Sequence, residues 1–345
     1  MKAILYGKPG EYKLSDVPVP EPGAGEVRIK ITAAGVCGTD IHLHNGTFIG
    51  KYPLVPGHEM VGVIDKIGAG PNGIAAVSSF KTGQQVTMNG NYGCGECDAC
   101  KKGKPLYCTN LTCLGCNGTG AFAEYMVVPE RLVYDAEGLD VDTVVFTEPL
   151  ACTCHGIDVL DMECGSDVLL IGAGSTGAML AQMLIHGGAG NVTVAASKDF
   201  KLELMKRYGI NDVVKIDKKD SKKSAAILKE FRPEGFDIVI DATGAPSVQQ
   251  ECLGLVKTGG TVMFYGVGKQ DVDIPVNAYD IFAREITIKG SFAQVNSFPK
   301  ALAMLRSGRI KTDGLITHRY SLDKWGEAMD TFKNDPSCHK IVLVP

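Results

Sequence analysis

Residues Val27-Arg28-Ile29-Lys30-Ile31 alternate apolar and polar positions, the period of a strand with one face buried. The run over 61–67 repeats the pattern, and 121–128 returns to it after a long interval of loops. Turn signals such as Lys8-Pro9-Gly10 and Pro22-Gly23-Ala24-Gly25 are dense between them. Short strands with Pro and Gly at this density predict a partly open β-barrel or sandwich. After Ala151 the pattern changes. Asp167-Val168-Leu169-Leu170-Ile171 is a nearly continuous apolar run, as expected of a strand covered on both faces of a parallel sheet. Strands over 191–195, 212–216, 236–240, 261–265 and 285–289 then alternate with helices over 178–185, 198–208, 221–231 and 249–256. Six strands of this kind predict a doubly wound dinucleotide-binding domain. Beyond Gly290 come helices over 298–306 and 322–332 and a last strand over 340–344. This tail is expected to return to the first domain. The chain therefore reads as α/β with two domains, one from 1–150 and 290–345, the other from 151–289.

Composition narrows the function classes. The chain has 345 residues, a net charge of −4 and 21% charged residues, ordinary for a globular protein. Lys and Arg form no long block, so nothing favours nucleic acid or an anionic membrane surface. No leader-like apolar run opens the sequence, and no stretch of about 18 apolar residues could span a bilayer. The protein is expected in the cytosol. Twelve cysteines in so long a chain suggest metal or catalytic use rather than a disulfide framework.

Three groups carry chemistry. Cys94-x2-Cys97-x2-Cys100-x7-Cys108 places four thiolates where they can close a tetrahedron around Zn²⁺, with no open position. Iron–sulfur clusters use similar spacing, although ligand pattern and compartment favour zinc. Cys113 and Cys116 follow closely and read as free thiols, the shell being full. The second group is Cys37, Thr39, His42, His58 and Glu59, a loop-built set containing the thiolate, imidazole and carboxylate of an open catalytic zinc site. From these residues alone, a small buried cysteine and a core histidine are equally good readings. Glu148, before Pro149, reads as a turn residue or as a further metal-site group. The third is Gly172-Ala173-Gly174-Ser175-Thr176-Gly177, between a strand and a helix, which is the context a dinucleotide fingerprint requires. Gly172 permits the turn, Gly174 the approach of the pyrophosphate, and Gly177 the packing of helix on strand. The helix N-terminus offers free N–H groups to the phosphates.

In this order the motifs resemble those of the zinc-dependent medium-chain alcohol/polyol dehydrogenases. The matching residues are Gly35-Val36-Cys37-Gly38-Thr39-Asp40-Ile41-His42, Pro56-Gly57-His58-Glu59-x2-Gly62, the cysteine quartet, Glu148-Pro149-Leu150-Ala151, the glycine fingerprint and Lys340-Ile341-Val342-Leu343. Glu59 after His58, together with Glu148-Pro149-Leu150, resembles the sorbitol and arabinitol branch more than liver-type enzymes, where the later ligand is a cysteine. The resemblance implies a GroES-like barrel beside a Rossmann domain, and a homo-oligomer. It implies two Zn²⁺ per chain, one catalytic at Cys37, His58 and Glu59, with Glu148 reaching it through water or directly, and one structural at the quartet. Thr39 and His42 would relay a proton as a secondary alcohol becomes a ketone. A non-catalytic nucleotide-binding relative would lack the catalytic zinc set, which this chain retains. Segment 73–80 departs from the family as an insertion. Leu43 stands where polyol enzymes have a substrate-facing Tyr, and Ala293-Gln294 replaces their Arg-Tyr pair.

Cofactor choice turns on one position. NAD-specific folds carry an acidic residue at the end of the second strand, where it accepts from the ribose hydroxyls. Here that end reads Ala196-Ser197-Lys198. Ser197, Lys198 and Lys201 suit a 2′-phosphate, so NADP(H) is expected, with NAD(H) the alternative. Thr243, after a later strand of the same sheet, completes the expected cofactor set.

Overall fold

The computed structural model describes residues 1–69, 78–294 and 296–345, so the part of the insertion at 73–77 lies outside the described residues. Two compact units emerge. The first comprises Met1–Ala151, Gln294–Gly308 and Thr312–Pro345, the second Cys152–Ala293 and Arg309–Lys311.

The first unit opens with an antiparallel hairpin of β1 (Lys2–Lys8) and β2 (Glu11–Asp16). Its central strand is β3 (Glu26–Val36), followed by helix α1 (Gly38–Asn45) and by β4 (Glu59–Ile67), which pairs antiparallel with β3. The chain continues through β5 (Gln85–Met88), β6 (Asn91–Tyr92), α2 (Asp98–Lys101), β7 (Thr112–Cys113), β8 (Tyr125–Pro129) and β9 (Val133–Asp135). Two helices follow, α3 (Val141–Val144) and α4 (Thr147–Leu160). The alternation at 27–31 buries Val27, Ile29 and Ile31 in a core with Ile4, Met60, Ile64, Met88, Phe122 and Trp325. Of the strand read over 121–128 only Tyr125–Pro129 forms. Ala121, Phe122 and Ala123 are buried, and that half instead bridges β1 through Ala3↔Ala123, with Phe122 O accepting from Ile4 N–H at 2.9 Å.

The second unit contains β10 (Asp167–Ile171), α5 (Ser175–His186), β11 (Asn191–Ala196), α6 (Asp199–Arg207), β12 (Asp212–Lys215), α7 (Ser221–Phe231) and β13 (Phe236–Asp241). It ends with α8 (Pro246–Cys252), β14 (Val256–Phe264), α9 (Ala278–Ala283) and β15 (Thr287–Gly290). All six strands are parallel, in the order β12-β11-β10-β13-β14-β15. The order reverses direction between β10 and β13, and crevices outside the strand ends at such a switch point take ligands. Helix α8 begins three residues before the expected 249 because Pro246 sits in its first turn, where a missing N–H costs nothing.

The tail supplies α10 (Phe298–Arg306), β16 (Ile316–Ser321), α11 (Trp325–Asn334) and β17 (Lys340–Val344). Strand β17 pairs antiparallel with β3, giving the sheet order β16-β17-β3-β4-β5-β9 with β8 also on β3. Among the described residues no helix is long and apolar enough to cross a membrane.

Candidate metal centres and cofactor site

Cys37 caps the N-terminus of α1, at the end of β3, while His58 and Glu59 stand at the start of β4. The strand pairing Gly35↔Glu59 brings the two ends together. One potential ligand atom from each of Cys37, His58 and Glu59 lies within 4.8 Å of the others. The pairing of β3 with β4 thus brings Cys37 to His58 across the twenty residues between them. Backbone crowding fixes the approach: a side chain at Gly57, whose φ is +96°, would overlap Phe122, and one at Gly120 would run into Pro56 and Gly57. Glycine is required where these loops cross behind His58.

Asp40, to which no local sequence pattern assigns a role, lies behind this group and is 1% exposed. Its Oδ2 accepts from the Cys37 backbone N–H at 2.8 Å, and its Oδ1 faces His58 Nδ1 at 3.7 Å. Burial pushes the Asp40 carboxyl up to about 6 against the opposing pull of His58. Burial also disfavours the charged His58 ring, yet the charges of Asp40 and Cys37 outweigh it and hold its pKa well above the ordinary value. A thiol, an imidazole and a carboxylate converging on one point, with a buried second carboxylate, Asp40, facing the imidazole from behind, are a donor set that fits a divalent ion.

Lys340, also unassigned from sequence, reaches from β17 to form a buried ion pair with Glu59 Oε2. Glu148 sits in the first turn of α4 and is 8% exposed. It is outside the three-residue ligand group, and its charge acts on Cys113. Thr39 and His42 stand three residues apart on α1, the spacing of one helix face. His42 Nδ1 bonds to Thr47 Oγ1 at 3.1 Å. His44 is half-buried and bonds Tyr6 Oη at 3.1 Å, tying α1 to β1. Leu43 belongs to the buried core, and Gln294 is fully buried with its amide on Asn89 Oδ1.

The quartet is drawn together by a short segment with little core of its own. One atom from each of Cys94, Cys97, Cys100 and Cys108 lies within 4.8 Å of the rest. Backbone N–H groups already point at sulfur: Cys94 and Asn110 donate to Cys108 Sγ at 3.3 Å, and Cys97 donates to Cys94 Sγ at 3.4 Å. Such bonds favour the thiolate over the thiol. The Cys100 N–H bond brings Cys97 down to about 6, whereas burial drives Cys100 up to about 12. A set that cannot hold four thiolates unaided, yet aims donors at them, fits a tetrahedral Zn²⁺. Cys113 and Cys116 are buried, and burial raises them to about 11 and 12, the behaviour of inert thiols.

In the second unit Gly172 has φ +116°, and a Cβ there would press on Ala242 and Thr243 at 3.1 Å. Gly174 is the N-cap of α5 and open to solvent on its Cβ side, while a Cβ at Gly177 would strike Gly172 O. Ser175 and Thr176 form the first turn of α5, where N–H groups are unpaired. Thr243 is oriented by Asp241, which accepts its N–H at 2.8 Å and its hydroxyl at 2.6 Å. Ala196 ends β11, and Ser197 and Lys198 lead into α6, with Lys198 as N-cap. Lys201 follows in the first turn of α6. Asp199, the next carboxylate along the chain, is paired with Lys215 at 2.6 Å.

Comparison with known proteins agrees with this geometry. The family described as "Alcohol dehydrogenase GroES-like domain" matches residues 23–138, and that described as "Zinc-binding dehydrogenase" matches 175–307. D-arabinitol dehydrogenase 1 of Uromyces fabae is 38% identical over 346 residues, covering 100% of this chain and 97% of the relative. An L-threonine 3-dehydrogenase of Anaeromyxobacter sp. (strain K) is 32% identical over 355 residues, covering 99% and 98%. A protein of Sinorhizobium meliloti 1021, described as a zinc-binding dehydrogenase and solved bound to NADP, superposes with a TM-score of 0.90 at 30% identity, covering 100% and 99%. The chain belongs to the zinc-dependent medium-chain alcohol/polyol dehydrogenases, a family of oxidoreductases with a GroES-like and a Rossmann-type domain.

Proposed function

We propose that the protein oxidises a secondary alcohol of a polyol of pentitol or hexitol size to the ketose, reversibly, with NADP⁺ as hydride acceptor. The observation that carries this reading is the convergence of Cys37, His58 and Glu59 on one point, which a nucleotide-binding protein without chemistry would not need. Those three residues would hold the catalytic Zn²⁺, with Glu148 reaching it through water, and the quartet would hold a structural one. Bound there, zinc supplies Lewis acidity toward the alcohol oxygen, and the nicotinamide accepts hydride. Asp40 orients the His58 ring. Thr39 accepts the substrate hydroxyl's proton and His42, held by Thr47, passes it on toward solvent. Gly174 and the first turn of α5 take the pyrophosphate, and Ser197, Lys198 and Lys201 take the 2′-phosphate.

Substrate size rests on the arabinitol relative. With Leu43 buried and Gln294 engaged by Asn89, hydroxyl recognition falls to other groups. The exposed apolar residues Val267, Val272, Val276, Tyr279, Phe282 and Ile288, beside the edge strand β15, support a homo-oligomer. The gathering of Cys94, Cys97, Cys100 and Cys108 as a metal-binding set supports a reducing compartment such as the cytosol.

Two measurements test this. A panel of pentitols, hexitols, L-threonine and simple alcohols should give the highest kcat/KM with a pentitol or hexitol. Activity confined to L-threonine or to primary alcohols would refute the polyol reading. The wild type should prefer NADP⁺, and Ala196→Asp should move the preference toward NAD⁺ several-fold or more, because a carboxylate there repels the phosphate and accepts from the ribose. A wild type that prefers NAD⁺ would refute the cofactor assignment.

A further inference from the structure

We propose that Lys340 is a positioning residue that restrains Glu59 and opposes its full capture by the cation at Cys37, His58 and Glu59. The inference rests on the reading of those three residues as a metal site.

Strands β17 and β4 are not neighbours. Each pairs with β3, on opposite sides of it. Lys340 and Glu59 meet across β3 only because position 35 carries no side chain. A Cβ at Gly35 would overlap Glu59 Oε2 and approach Lys340 Cε to 3.0 Å. The side chains of the pair are 4% and 1% exposed, on the face of the sheet where Val145 also approaches position 35 within a buried apolar cluster that includes Ala33, Val61 and Val342. A buried ion pair contributes little net stability, since desolvation of both charges offsets most of their attraction. Apolar residues would fill this part of the sheet as well. The pair therefore has a use in the site rather than in the core.

Its two electrostatic effects have the same sign. The ammonium repels a divalent cation held beside Glu59, and it engages the carboxylate that would otherwise neutralise that cation. Lys340 thus weakens cation binding, and it leaves more of the ion's charge available to the substrate oxygen. A lysine with a merely structural role would have the opposite signature, since its loss would loosen the site and the metal together.

The test compares wild type, K340M, K340R, E59Q and E59Q/K340M, loaded with zinc or with cobalt(II) at the Cys37 site. A drop of one ion in Cys37→Ala relative to wild type identifies that site. If Cys37→Ala keeps the full complement, the metal-site reading itself fails. Given the drop, K340M should release its metal to a chromogenic chelator about tenfold more slowly or more. Its cobalt bands should shift and weaken as the carboxylate binds more fully, and kcat should fall with KM little changed. K340R should recover most of each wild-type value. Should K340M not fold, the comparison passes to E59Q against E59Q/K340M, where loss of the ammonium should still slow release. Release as fast as in the parent protein, or faster, or cobalt bands unshifted in folded K340M, would overturn the proposal.

Discussion

Cys100→Ala is expected to lower the melting temperature by about 10 °C or more and to remove one zinc ion per chain. Around the quartet, α2 has four residues and β6 and β7 two each, and Leu106 and Leu114 are the larger apolar side chains buried there. So short a segment cannot offset its chain entropy with apolar burial. The cross-link must come from the four sulfurs, whose binding of metal is folding free energy. Loss of a structural metal is among the few single changes that cost more than about 4 kcal/mol. For a unit of this size each 1 kcal/mol moves the midpoint by about 2–4 °C. Calorimetry with metal analysis checks the result, and unchanged melting with unchanged zinc would refute the structural assignment. Mild chelation should strip the Cys37 site first and abolish activity with the fold intact, because that shell is open whereas the quartet is closed.

The quartet was legible because its ligands are local: four cysteines within fifteen residues announce themselves by spacing. The glycine fingerprint was legible for the same reason, since strand, turn and helix are contiguous there. Five helices escaped: the short α2, α3 and α9, of four to six residues, and the longer α4 and α1. Helix α4 begins at Thr147, and Pro149 suggested a turn, although proline is tolerated in a first turn. Helix α1 is short and has no clear amphipathic stripe, carrying Leu43 and Asp40 inward among polar residues. Neither Asp40 nor Lys340 could be assigned from local pattern, because each acquires its role from a partner far along the chain. Lys340 meets Glu59 through the order β17-β3-β4, which no periodicity encodes. The one available signal was a lysine opening the otherwise apolar Lys340-Ile341-Val342-Leu343-Val344, where a fully buried charge must be paired.

Asp40→Asn is expected to lower metal affinity at the Cys37 site, or kcat/KM, by about 10–100-fold while leaving the fold in place. The carboxylate performs two tasks at once. One oxygen holds the Cys37 N–H at 2.8 Å, fixing the thiolate at the mouth of α1, and the other faces His58 Nδ1 at 3.7 Å. A carboxylate in that place favours a proton on Nδ1, which leaves the lone pair of Nε2 for a metal. Asparagine can keep the bond to Cys37 with its carbonyl, and it then turns its NH₂ toward Nδ1. That nitrogen must now accept, so the ring proton moves to Nε2 and occupies the position the metal requires. Volume and the helix cap are conserved, which separates this effect from the loss of α1 that Asp40→Ala would add. Chelator competition for the ion, read beside kcat/KM and the melting curve, checks the outcome. Unaltered metal affinity and kinetics in a folded Asp40→Asn protein would reduce Asp40 to a capping residue, with no hold on His58.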